Sequence, residues 1–192
     1  MTRQPPGRAL RSLVATVALA AAACRTAAPP AERAATPGTP APAASAWQEV
    51  PLSDLESHPV TLAKVLAGRP ALVNLWAPWC ERCKTELPDL DRLSRRLEGC
   101  AVVVGVAVGE DAPHTAAFVH DRGLGYPQVV DEGFHLADTL RQSRVPTTLV
   151  IDGAGTIVHV GFALDAAAVG ALETTVGAAE VDGRCKSSRG AG

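Results

Sequence analysis

"ALVNLWAPWCERCKTELPDL", Ala71 to Leu90, decides the fold. Its first six residues form a short apolar run that follows Gly68 and Pro70, which reads as a buried strand. Beyond Cys80, Leu87, Leu90, Leu93 and Leu97 recur at spacings of three and four, which predicts a helix from about Cys80 to Leu97. Pro88 lies inside that pattern and should kink it. Two cysteines, Cys80 and Cys83, therefore fall where a strand turns into a helix. The spacing alone leaves three uses open: a structural bridge, a metal site, or disulfide exchange.

Context separates them. At a helix start the unpaired backbone N–H groups and the helix dipole stabilise a thiolate. Cys83 sits one turn later on the same face and can resolve a mixed disulfide formed at Cys80. Zinc needs three or four ligands. The chain has no second such pair, and its five histidines (His58, His114, His120, His135, His159) show no ligand spacing. A bridge between such near neighbours would constrain little chain entropy. Strand, CxxC and helix in this order favour redox exchange, which requires neither a cofactor nor a metal.

Working outward, "AVVVGVAV" (Ala101 to Val108) is a second buried strand, continuously apolar as central parallel strands are. Asp111 can cap a helix running to about Arg122, with Pro113 in its first turn. "PQVVD" reads as a brief strand or loop, and a short helix is expected around Phe134 to Arg141. "TTLVID" (Thr147 to Asp152) is a third strong strand, and "GAG" turns it into "TIVHVGF" as an antiparallel hairpin. Asp165 can cap a final helix ending near Ala178. The expected class is α/β, with a mixed central sheet flanked by helices on both faces.

The first residues read differently. Arg3, Arg8 and Arg11 precede an apolar run, Leu13 to Ala23, too short for the ~20 residues of a membrane-spanning helix. Residues 1–23 are thus expected to be an export signal. It ends in "AAAC", similar to a bacterial lipobox, which makes Cys24 a candidate for lipidation. Ala21 departs from the usual leucine of that motif, and cleavage at an A-x-A site competes. Residues 24–46 are a Pro/Ala-rich tether with nothing to bury. At ~3.1 Å per residue it would reach on the order of 60 Å. A folded domain is expected over 47–182 and a loose tail over 183–192. The net charge of −2, with both signs interspersed, gives no nucleic-acid footprint.

The stretch from Ala71 to Leu90 resembles the active-site segment of the thioredoxin superfamily. Its "WCxxCxxExP" form resembles the extracytoplasmic TlpA/ResA/CcmG-type branch. "RVPTTLVIDGAGTIV" is similar to the segment where that family places a cis-proline, here Pro146, and "GLGYPQVVDEG" to an insertion of this branch. The resemblance implies a thioredoxin-like fold over roughly Trp47 to Ala179. It also implies that Cys80 attacks, that Cys83 resolves, and that Pro146 and the Val145 backbone meet an extended substrate segment. Trp79 would shape the surface around the disulfide, whereas Trp76, on the strand, is expected to be packing. Two departures stand out. Asn74 replaces the buried aspartate of cytosolic thioredoxins, so Glu86 is the candidate for its proton-handling role. Glu81-Arg82 fills the motif where reducing members carry proline before the second cysteine. In such a fold the last helix runs back toward the edge where the second strand begins, so Cys100 and Cys185 are expected to form a structural disulfide.

The expected function is an exported, membrane-tethered thiol–disulfide oxidoreductase on the periplasmic side of a bacterial membrane. The resemblance implies a reductant. Its partners would be oxidised proteins, apocytochrome c among them, and a membrane electron donor. A peroxiredoxin-like peroxidase competes, although the proline and threonine such enzymes place before their cysteine are absent before Cys80. A copper-delivery module also competes, but it needs wider cysteine spacing and a distant histidine ligand, and His159 on the hairpin has no distinctive context for that role.

Overall fold

The computed structural model describes residues 46–181. The expected signal, nearly all of the tether, and the tail lie outside them, and with them Cys24 and Cys185. After a 3-10 turn at Ala46–Glu49 come β1 (Leu52–Ser53), β2 (Pro59–Val60), α1 (Leu62–Leu66) and β3 (Ala71–Trp76). Next are α2 (Glu81–Arg96), β4 (Val102–Val108), α3 (Ala112–Asp121), β5 (Gln128–Asp131) and α4 (His135–Thr139). The hairpin β6 (Thr147–Ile151) and β7 (Ile157–Gly161) precedes α5 (Ala166–Val181). The strands form one sheet in the order β2-β1-β5-β4-β3-β6-β7. β3, β4 and β5 are parallel, and β6 lies antiparallel to β3 on its other side.

Alternation along the strands divides the core in two. Leu72, Trp76, Val103, Ala107, Val130 and Val150 pack with the apolar faces of α2, α3 and α5. Ala71, Val73, Leu75, Val104, Val106, Leu149 and Ile151 pack with α1 and α4. Both faces of β3 and β4 are thus covered, which explains why their sequences are near-continuous apolar runs, interrupted in β3 by Asn74, rather than alternating ones. The mixed α/β class with helices on both faces is as expected.

The helix caps follow from local chemistry. Asp111 accepts the His114 N–H at 2.8 Å and starts α3. Asp165 accepts the Ala168 N–H at 2.9 Å and starts α5. α2 runs unbroken through Pro88, which is exposed on its outer side. "PQVVD" is a true strand, paired in parallel with β4. β1, β2 and α1 extend the fold beyond the sequence-based expectation.

Candidate active site

β3 delivers the chain to the C-terminal end of the parallel strands at Trp76. A short turn follows, closed by the Cys80 N–H donating to the Ala77 carbonyl at 3.0 Å. Cys80 is the N-cap of α2, with extended backbone (φ −83°, ψ 103°), and its Sγ accepts the Cys83 N–H at 3.1 Å. A sulfur here takes the place of the capping oxygen of Ser or Asp. The two cysteines are joined as a disulfide. Cys80 is 7 % exposed and Cys83 only 1 %. The helix-start environment favours a thiolate at Cys80 once the bond is reduced. Glu81 is held below the ordinary carboxylate range, chiefly by its hydrogen bond from Lys84 Nζ at 2.7 Å. That contact offsets its negative charge beside the thiols.

The Val145–Pro146 bond is cis. Because Leu75 of β3 pairs with Thr147 of β6, the Val145–Pro146 segment reaches the same end of the strands as the turn that carries Trp79 and Cys80. Pro146 is buried and Val145 partly so, and Val145 packs against the core cluster that contains both cysteines. Trp79 is 60 % exposed, and it lines a cavity of about 200 Å³ together with Val145. Trp79, Cys80, Val145 and Pro146 thus lie at one end of the strands, whereas Cys100, just before β4, lies at the other.

Glu86 lies one turn beyond Cys83 on α2, and it is neither free nor fully solvated. Its Oε2 accepts the Leu164 N–H at 3.2 Å, and Arg82 approaches its other oxygen at 3.7 Å. Its side chain is only 15 % exposed, and burial pushes its carboxyl above the usual range despite both contacts. The bond to Leu164 ties the active-site helix to the segment before α5. Asn74 is buried beneath α2, where its Nδ2–H donates to Thr148 Oγ1 at 3.2 Å.

Trp76 is fully buried, as expected of a packing residue. Its Nε1–H donates to Gln128 Oε1 at 3.0 Å, and its ring packs on Phe118 with centroids 5.2 Å apart. Gly105 makes that bond possible. A Cβ there would collide with the Gln128 carboxamide and come within 2.8 Å of Trp76 Nε1. Sequence reasoning passed over Gln128 and Gly105. The available signal was a lone glycine inside "VVVGVAV", which marks a close approach.

Cys100 is buried just before β4, and among the described residues it has no disulfide partner. His159 is half-buried on β7. Among the described residues, one group of three potential ligands lies within 4.8 Å: Asp54, Glu56 and His58. It is a surface turn, with Asp54 accepting the Glu56 and His58 N–H groups, and it includes no cysteine.

Residues 37–160 match the model of the AhpC/TSA family. The chain belongs to the AhpC/TSA family. Within it, the chain is 32 % identical over 111 residues to thiol-disulfide oxidoreductase ResA of Halalkalibacterium halodurans, covering 57 % of this chain and 62 % of that protein. It is 33 % identical over 122 residues to thiol:disulfide interchange protein HelX of Rhodobacter capsulatus, covering 61 % and 68 %. This AhpC/TSA-family chain therefore spans less than two thirds of its ResA relative. A secreted Mycobacterium tuberculosis disulfide oxidoreductase, homologous to E. coli DsbE, superposes with a TM-score of 0.58 at 20 % identity, covering 67 % of this chain and 97 % of that one. The fold is thioredoxin-like, as the sequence led us to expect.

Proposed function

We propose that this AhpC/TSA-family chain is a thiol–disulfide oxidoreductase that reduces protein disulfides outside the cytoplasm. The observation that carries the reading is the Cys80–Cys83 disulfide at the start of α2, with Cys80 at the cap and Cys83 shielded behind it. In the reduced protein the Cys80 thiolate attacks one sulfur of a substrate disulfide. That S–S bond breaks, the other substrate sulfur leaves as a thiolate and takes a proton from water, and a mixed disulfide remains on Cys80. The Cys83 thiolate then attacks Cys80 Sγ, breaks the mixed bond and releases the second substrate thiol. Two electrons have passed to the substrate. A dithiol donor must restore the pair, and a membrane electron donor fits that need.

Glu86, one turn from Cys83 and lifted above its usual range by burial, is the group we assign to take up the Cys83 proton. Val145 and cis Pro146 present backbone to the substrate segment, and Trp79 flanks it. The sequence of residues 1–46 supports export, with lipidation at Cys24 and a tether that sets the domain away from the membrane. Apocytochrome c is one substrate this reading admits.

The test uses exporting cells, acid quenching and non-reducing electrophoresis, with mass spectrometry of shifted bands. Cys83→Ser should accumulate complexes linked through Cys80, Cys80→Ser almost none, and Pro146→Thr should prolong those of the wild type. Equal trapping by both single-cysteine variants would refute the division of roles. Rapid consumption of hydrogen peroxide without trapping would favour the peroxidase. Fractionation of the same cells tests the anchor: Cys24→Ser should release a protein that otherwise sediments with membranes.

A further inference from the structure

Phe134 is built unlike its neighbours. It is the residue before α4, it adopts left-handed backbone (φ 59°, ψ 17°), and it makes no side-chain cap. Such a conformation is uncommon and strained for a bulky aromatic residue. Burial does not repay it, because Phe134 is 45 % exposed. The loop is nevertheless held firmly. Buried Asp131 accepts the N–H groups of Leu136 and Ala137 at 3.0 and 2.9 Å, and the Phe134 N–H donates to the Asp131 carbonyl at 3.2 Å. Gly109, at the end of β4, clears the space beneath the ring, since a Cβ there would strike it.

The ring forms one wall of the cavity of about 200 Å³ beside the redox site. Trp79 and Val145 line the same cavity, and buried Leu75 and Val108 also line it. Asp138 and Arg144 contribute opposite charges to the lining, so charge gives no net preference. A strained, half-exposed aromatic residue and a second exposed aromatic next to Cys80 therefore share a pocket whose walls are apolar at Leu75, Val108 and Val145 and polar at Asp138, Gln142, Ser143 and Arg144. Cys80 does not itself line the cavity, but it follows Trp79 directly in the chain, so a substrate joined to Cys80 is anchored one residue from the cavity wall.

We propose that Trp79, Phe134 and Val145 form a selectivity pocket that takes an aromatic or large aliphatic side chain flanking the substrate's half-cystine. This deepens the oxidoreductase reading and rests on it. Burying such a side chain should favour its peptide by about tenfold in rate.

The experiment compares two ten-residue peptides, identical except for Phe or Ser at both positions flanking a single cysteine carried as a mixed disulfide with glutathione. The reduced full chain is mixed with each, and second-order rate constants are measured. The readout is the Phe/Ser ratio on one protein, so general losses of activity cancel. The wild type should give a ratio near ten, Phe134→Ala a ratio near one, and Phe134→Leu most of the wild-type ratio. A wild-type ratio near one, or a tenfold ratio kept by Phe134→Ala, overturns the pocket and leaves the oxidoreductase reading intact. No reaction with either peptide overturns both.

Discussion

Asn74→Asp would place a carboxyl group where the fold has excluded water. Asn74 is 1 % exposed on β3, between buried Val73 and Leu75, and its one side-chain hydrogen bond goes to Thr148 Oγ1. A carboxylate could accept only one hydrogen bond there, from the Thr148 hydroxyl turned round. Desolvation should therefore dominate and raise the folded-state pKa, by as much as ~3–5 units for a fully buried group. A rise of ~3 units from the unfolded value of ~3.9 is worth roughly 4 kcal/mol. The sign follows from a folded value above the unfolded one. Near pH 4 the folded variant keeps its proton and the unfolded chain is about half protonated, so little of the loss is present and the variant should come close to the wild type. Stability should then fall as pH climbs, and the loss should be complete near pH 7. Against a typical total of ~5–15 kcal/mol, that is a large fraction. Urea unfolding of oxidised wild type and variant at pH 4 and pH 8 measures it. Equal destabilisation at the two pH values would refute the claim that this position is dry.

Glu86 carries a weaker version of the same linkage. Its folded value is raised by burial, so its ionisation should cost wild-type stability as pH rises from the unfolded value through the folded one. Glu86→Gln keeps an acceptor for the Leu164 N–H, so it should flatten the urea midpoint over that window and remove one inflection from the pH profile of exchange. Gly105→Ala should destabilise by ~1–3 kcal/mol by overpacking the Trp76–Gln128 contact, read as an earlier urea midpoint by tryptophan fluorescence. A proteolytic digest of the full chain from exporting cells, run without reductant, should yield a peptide pair linking Cys100 to Cys185, and finding both thiols alkylated instead would rule out that bridge.

What the sequence revealed depended on the range of each signal. β3, α2, β4 and the β6–β7 hairpin were legible because long apolar runs and helical leucine spacing are written locally. β1 and β2 have two residues each, too few to show alternation, and α1 is a single turn or so. "PQVVD" stayed undecided because four residues define a strand only once β4 lies beside them. The same limit applied at the site. Cys80 and Cys83 were plain from their spacing and context, and Pro146 from its neighbours. The environment of Glu86 was not, because its partner Leu164 is 78 residues away in the chain. Phe134 gave no warning either, since its left-handed backbone is fixed by Asp131 and its space by Gly109.

The position of β6 has a consequence for the order in which the molecule can assemble. β3 is hydrogen-bonded to β4 soon after it in the chain, but its other neighbour is β6, which begins about seventy residues later at Thr147. Closing the sheet on that side must wait for a long loop to be paid for in entropy, the situation that slows folding and prolongs exposure of unpaired strand edges. Cys80 and Cys83, three residues apart, need no such delay. A nascent chain emerging from its N-terminus presents both thiols well before β6 exists, so exchange with an external disulfide, which is reduced to two thiols, can join them before the domain around them has closed. A chain so joined would finish folding with the pair already oxidised, the state in which the structure holds it.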